Sequence, residues 1–284
     1  MELQFTKMQG IGNDFVVADC LVTHPPSEDA LQAASTFLCD RKFGVGGDGV
    51  ILVLPSDVAD YKMRMFNPDG SEAEMCGNGI RCFARFVHDR GYSQKSEITA
   101  ETLAGIKTLT FTESSDTGET LVRVDMGEPI LHRAEIPMIG DAGIAVSQSI
   151  DVAGESVAIT AVSMGNPHII FFEESATDER IDRLGPIMEK HPLFPRRTNV
   201  HLIEVISPTE IKMLTWERGA GRTLACGTGA CASVVATALN KLTERDVLAH
   251  LAGGDLRIEW SEADNHVYMT GAATEVFTGT VTIK

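Results

Sequence analysis

Two cysteines stand in nearly the same local sequence, Cys76 in "EAEMCGNGIRC" and Cys226 in "LACGTGACA". Each is followed by glycine, a small polar residue and a second glycine, and then by residues at helical spacing. A thiol at a helix N-terminus meets unpaired backbone N–H groups and the positive end of the helix dipole, and both favour the thiolate. Glycine after the cysteine lets another backbone approach, so the N–H groups of Gly77 and Asn78, and of Gly227 and Thr228, form a ready cradle for a carboxylate. Two such thiols suit one chemistry well. Taking an α-proton from one face of an amino acid and returning one to the other needs a thiolate and a thiol across a planar carbanion. Without a cofactor the acidity gap exceeds about ten pKa units, on the order of 14 kcal/mol. Helix dipoles and N–H donors must then stabilise the enolate-like charge in a dry site.

Rival uses of the cysteines fit less well. Zinc sites pair cysteines two to four residues apart, whereas Cys76 and Cys82, or Cys226 and Cys231, are spaced so that a helix turns them away from each other. No Cys-x-x-Cys pair is present for dithiol redox chemistry. Cys20, Cys39, Cys82 and Cys231 read as small buried hydrophobes. "GVGGDG" at 44–49 matches G-x-G-x-x-G, but a strand-like run follows it where a dinucleotide site needs a helix.

The elements that must position the thiols are mostly strands. "DFVVAD", "GVILVLP", "YKMRMFN", "LVRVDMG", "HIIFFE", "HLIEVI", "IKMLTWE", "LRIEW", "HVYMTG" and "TVTIK" are β-rich runs, and helical periodicity is confined to a few segments. After Cys76, Ile80, Phe83, Ala84 and Val87 predict an amphipathic helix ending near Gly91. After Cys226 the apolar and small residues run all round, which predicts a buried helix. Strand-rich halves with one such helix each imply an α+β fold in which sheet wraps helix.

The halves also resemble each other. "GNDFVV" from Gly12 recurs as "GNPHII" from Gly165, and the run from Met63 to Gly79 aligns without gaps on that from Met213 to Gly229. Asn13 then falls on Asn166, Asn67 on Glu217 and Cys76 on Cys226, as a duplicated unit would give. Two like domains are expected to face each other across a cleft, 1–128 completed by a C-terminal strand at 276–284, and 129–275.

Composition sets outer limits. With 284 residues and 43% hydrophobic content the chain can bury the cores of two domains. A net charge of −16 without clustered Lys or Arg argues against nucleic-acid binding. No basic leader or membrane-length apolar run is seen, and free thiols fit a reducing compartment, so a cytoplasmic protein without a membrane partner is expected.

"GNDFVV", "FNPDGSEAEMCGNGIRC", "GNPH", "RTNV" and "WERGAGRTLACGTGACA" together resemble the signatures of the diaminopimelate epimerases, in order along nearly the whole chain. The resemblance implies a PLP-independent isomerase that interconverts L,L- and meso-diaminopimelate in lysine and cell-wall biosynthesis. It implies no cofactor or metal, two β-barrel-like domains each wrapped around a central helix, and a homodimer. Cys76 and Cys226 become the acid/base groups, and Gly77, Asn78, Gly227 and Thr228 hold the reacting carboxylate. Asn13, Asn67, Asn166, Asn199 and Arg218 bind substrate, Arg218 as a fork on the distal carboxylate. Glu217 also touches substrate, and together with His168 it tunes the thiols, an imidazolium favouring thiolate and a carboxylate favouring thiol. The resemblance departs at Gly49, where some members carry Gln. Proline racemases and hydroxyproline epimerases share the two-cysteine plan, but usually carry His in the place of Asn78 and need no Arg218. A thiol or metal protein without catalysis would need neither the mirrored cradles nor Arg218.

Overall fold

A computed structural model of the chain describes residues 2–114 and 117–283. The chain divides into two compact units, Met1–Val124 with Thr270–Lys284, and Asp125–Met269. The first carries β1 (Glu2–Gly10), β2 (Asn13–Asp19), α1 (Glu28–Cys39), β3 (Gly49–Leu54), β4 (Tyr61–Phe66), β5 (Glu72–Ala73), α2 (Gly77–Asp89), β6 (Glu97–Thr102), β7 (Gly105–Glu113) and β8 (Thr120–Asp125). The second carries β9 (Gln148–Val152), β10 (Glu155–Ser163), β11 (Pro167–Phe172), α3 (Asp178–Met188), β12 (Asn199–Ser207), β13 (Glu210–Glu217), β14 (Gly221–Arg222), α4 (Gly227–Leu239), β15 (Asp246–Leu251), β16 (Gly254–Trp260) and β17 (Val267–Gly271). A last strand, β18 (Thr274–Thr282), belongs to the first unit and pairs antiparallel with β1.

The two units repeat element by element. β2 and β3 are parallel with α1 between them in the chain, and β11 and β12 are parallel with α3 between them. β4 then pairs antiparallel with β3 and parallel with β6, as β13 does with β12 and β15. α1 and α3 are helices that the hydrophobic pattern does not announce. Each carries only a short stripe, Leu31, Ala34 and Leu38 in α1 and Ile181, Leu184 and Met188 in α3, set among Ala, Ser and Thr in α1 and around Pro186 in α3, so neither stands out beside the long β-rich runs.

The paired central strands are covered on both faces, which is why they read as unbroken apolar runs rather than alternating ones. In the second unit Ile169, Phe171, Val200 and Leu202 pack with Ile181, Leu184 and Met188 of α3. Their strand neighbours point the other way, toward α4, which lies against β10, β11, β12, β15 and β16. α4 is buried almost throughout, as its composition predicts. α2 is covered more fully than an amphipathic helix would be, because even its polar Asn78 and Arg81 are buried.

Candidate active site

Both cysteines are N-cap residues with extended backbone, Cys76 before α2 and Cys226 before α4. In the first unit the Gly79 N–H donates to Cys76 Sγ at 3.5 Å, and Sγ lies 3.8 Å from Asn13 Oδ1. Asn13 Oδ1 also accepts from Asn78 Nδ2 at 3.4 Å, so the structure brings Asn13, Cys76 and Asn78 together. The orientation of Asn13 is set from behind, where its Nδ2 donates to Asp48 Oδ2 at 2.5 Å. Arg41 bridges Asp48 and Asp14 at 2.8 and 2.6 Å, and Lys7 pairs with Asp14 at 2.5 Å. Burial pushes the Asp14 carboxyl up, but the hydrogen bonds from Arg41 and Lys7 outweigh it and hold it at about 2. Asn78 is fixed by the fully buried Arg81, which donates to its Oδ1 at 3.0 Å and to Gly77 O at 3.0 Å.

Asn67 hydrogen-bonds within its own turn. It opens that turn, in which Gly70 has φ +82°, and its Nδ2 donates to Ser71 Oγ at 3.0 Å. Gly49, the first residue of β3, has Met65 Cε and Phe66 O each 3.0 Å from where a Cβ would stand, so a longer side chain there would crowd β4.

The second unit mirrors the first with a different filling. Asn166 Nδ2 donates to Thr228 Oγ1 at 3.4 Å, and Thr228 Oγ1 lies 3.7 Å from Cys226 Sγ. Cys226 is only 5% exposed. Burial first, then the Glu217 carboxylate beside it, raises this thiol well above its ordinary value, while the Gly229 N–H and the Thr228 hydroxyl pull less strongly the other way. At neutral pH Cys226 is therefore a thiol.

His168 sits deep in the second unit. It is fully buried, and burial, helped by His201 and Arg218, lowers it well below the ordinary imidazole value. Such burial favours the neutral ring, with one nitrogen donating and the other accepting. Its Nε2 meets Asn166 Oδ1 at 2.8 Å and its Nδ1 meets His201 Nε2 at 2.8 Å. The nearest ligand-type atoms of His168, His201 and Cys226 lie within 4.8 Å of one another, a grouping of which the cysteine spacing gives no sign.

Asn199 is buried and its amide bonds to backbone, Nδ2 to Pro167 O at 2.9 Å and Oδ1 from the Arg218 N–H at 3.0 Å. It thereby anchors the turn that carries the exposed Arg218, whose guanidinium reaches Arg196 O at 3.2 Å. The same turn is held by Glu189, a residue that no motif marks. Its buried carboxylate accepts from Trp216 Nε1 at 3.0 Å and from the Gly219 N–H at 3.1 Å. Asp48 and Arg81 sit inside quoted motifs that do not single them out, Arg81 acting locally on Asn78 and Gly77 three and four residues back, while His201 and Glu189 lie outside the motifs and reach their site residues through tertiary contacts.

Comparison with known proteins fits this geometry. The sequence profile of the family described as diaminopimelate epimerase matches residues 5–132 and 160–276. The diaminopimelate epimerase of Desulfitobacterium hafniense is 56% identical over 98% of this chain and 97% of its own length. That of Methanococcus maripaludis is 50% identical over 99% and 100%. Among solved structures, a Bacillus anthracis phenazine biosynthesis protein of the PhzF family superposes with a TM-score of 0.73 at 18% identity, covering 100% of both chains. A hydroxyproline epimerase from Agrobacterium vitis with bound trans-4-hydroxy-L-proline gives 0.68 at 16%, covering 99% of this chain and 91% of that one. At such low identity these two likenesses speak for the fold alone, a two-domain α+β architecture, whereas the profile and the full-length relatives reach further: this chain belongs to the diaminopimelate epimerase family.

Proposed function

We propose that the chain is an isomerase that interconverts L,L- and meso-diaminopimelate, in lysine and cell-wall biosynthesis, by two-base proton transfer at the α-carbon. The observation that carries the reading is the pair of N-cap thiols at equivalent places in two repeated units, in a chain 56% identical to a diaminopimelate epimerase over nearly its full length. Cys76 and Cys226 exchange the proton, each unit being one epimerase domain. Burial and Glu217 keep Cys226 protonated, so Cys226 enters as the acid and Cys76 as the base for one stereoisomer, and the roles exchange for the other. Gly77, Asn78, Gly227 and Thr228 offer N–H groups at helix starts to the reacting carboxylate, whose developing charge they stabilise. Asn13, Asn67, Asn166 and Asn199 bind substrate polar groups, and Arg218, on the turn anchored by Asn199, grips the distal carboxylate.

No organic cofactor or metal enters this scheme. No described helix is long and apolar enough to cross a membrane; in this reading the enzyme is cytoplasmic and a homodimer, as the family resemblance implies, and sedimentation would check the dimer. The direct test incubates the reduced protein, without added cofactor, with L,L-diaminopimelate and separately with L-proline, and then resolves stereoisomers. Conversion of diaminopimelate alone is expected. Turnover of proline alone would overturn the assignment.

A further inference from the structure

A continuous line of hydrogen bonds runs through the second unit to Cys226. Thr215 Oγ1 lies 3.1 Å from His201 Nδ1, His201 Nε2 lies 2.8 Å from His168 Nδ1, and His168 Nε2 lies 2.8 Å from Asn166 Oδ1. Asn166 Nδ2 then reaches Thr228 Oγ1, and Thr228 Oγ1 reaches Cys226 Sγ, at 3.4 and 3.7 Å. The sheet register builds it: His201 and Thr215 are direct partners across β12 and β13, and His201 pairs with Ile170, two residues along β11 from His168. Both rings are fully buried.

A neutral imidazole has one donor and one acceptor, so a line through two of them has a direction. Asn166 Oδ1 can only accept, so His168 carries its proton on Nε2 and accepts at Nδ1. His201 must then donate from Nε2 and accept from the Thr215 hydroxyl at Nδ1. At the other end Asn166 donates to the Thr228 oxygen, which leaves the Thr228 hydrogen to point at Cys226 Sγ. Run in reverse, the line would turn the Asn166 amide over and draw the Thr228 hydrogen away from the sulfur.

We propose that His201 is a positioning residue for the Cys226 half of the reaction: by donating to His168 Nδ1 it fixes the His168 tautomer, the Asn166 amide and the Thr228 hydroxyl that supports the thiolate. This rests on the two-base proton transfer proposed for Cys76 and Cys226 and extends it to a residue outside the duplicated motifs. Gly229 belongs to the same device, since a Cβ there would stand 2.4 Å from His201 Cε1.

Ring-15N-labelled histidine reports the tautomer directly. Both rings should show protonated Nε2 alone, and His201→Phe should release His168 into a mixture with protonated Nδ1. Losing a hydrogen bond to the thiolate should lower kcat roughly ten- to a hundredfold, with KM nearly unchanged. The alkaline limb of the kcat/KM profile, which reports Cys226, should move up while the acid limb stays. Glu217, Arg218 and His168, the titratable or charged groups around this thiol, are retained throughout. His201→Gln, which keeps an N–H toward His168, should restore part of the rate. Should His201→Phe fail to fold, Thr215→Val removes only the far donor and should shift the His168 signals in the same direction, less far. An unchanged His168 tautomer in the variants, or a fall in kcat without a tautomer change, would overturn the proposal. The ring spectra, and thiolate absorbance of Cys226 titrated in Cys76→Ala, need no substrate. An absence of turnover in the parent enzyme would therefore sink the proposed activity, while the role of His201 would still stand or fall on the spectra.

Discussion

The two thiols share a backbone position and differ in what surrounds them. Cys76 is half-buried among donors and amides, while Cys226 is buried beside Glu217, which favours its protonated form. In the proposed reaction each thiol serves one face of the α-carbon, so replacing either by alanine should abolish epimerisation, by about 10²–10⁴-fold or more for one lost general acid/base. Either single variant should still exchange the α-proton of one stereoisomer with heavy water through its surviving thiol, and the two should prefer opposite stereoisomers. A Cys226→Ala protein that epimerises at near the normal rate would mean that one base suffices. At this scale much was legible, because a cysteine at a helix start followed by Gly-x-Gly has a local physical signature. His201 was not: one histidine in the apolar run "HLIEVI" looks like any core histidine until the neighbouring strands bring Thr215 and His168 to it.

α2 and α4 begin with the same Cys-Gly-x-Gly pattern, yet the second glycine does different work in each. A Cβ at Gly79 would meet Ile51 Cδ1 and Met65 Sδ at 3.3 Å, side-chain ends that can give way. A Cβ at Gly229 would meet the His201 ring at 2.4 Å, and that ring is held on both sides. Gly229→Ala should therefore lower stability by about 1–3 kcal/mol, the usual range for overpacking a core, and impair catalysis, whereas Gly79→Ala should cost clearly less. Thermal melts of the two variants side by side check the asymmetry, and equal losses would count against it. The sequence displayed the repeat of the glycines but not this difference, since what each glycine faces is decided by a strand distant in the chain. The strands themselves were readable as apolar runs. α1 and α3, which pack on β3 and on β12 and β13, were not, because a stripe of three apolar residues in each is too short to stand out.

For the molecule as a whole, two buried neutral histidines tie stability to pH. Burial lowers His201 to about 3 and His168 in the same direction. An unfolded chain takes up these protons near pH 6.5, so it binds more protons than the folded one between there and about 3. The contribution is complete above the unfolded value and is lost as pH falls toward the folded one. His266 runs the other way, raised by its hydrogen bond to Asp125, but it is partly exposed and its share is small. Unfolding midpoints in denaturant should thus drop between pH 7 and 5, before the carboxylates held at about 2, Asp14, Glu155 and Asp264, begin to titrate. His201→Phe should flatten that slope. A slope identical in parent and variant would show that His201 is not the group responsible.

The return of β18 to β1 gives the chain a consequence in time. During synthesis the first unit lacks this strand until the whole of Asp125–Met269 has been made. At roughly 5–20 residues per second the wait is about seven to thirty seconds. Through that interval β1 presents unpaired N–H and C=O groups on one side, while the inserted unit, contiguous in the chain, can complete itself first. Nascent chains arrested on the ribosome with Gly271 just emerged should protect the second unit from protease and leave the first open to it. Release of the last strand should then close the first unit and bring on activity together with it.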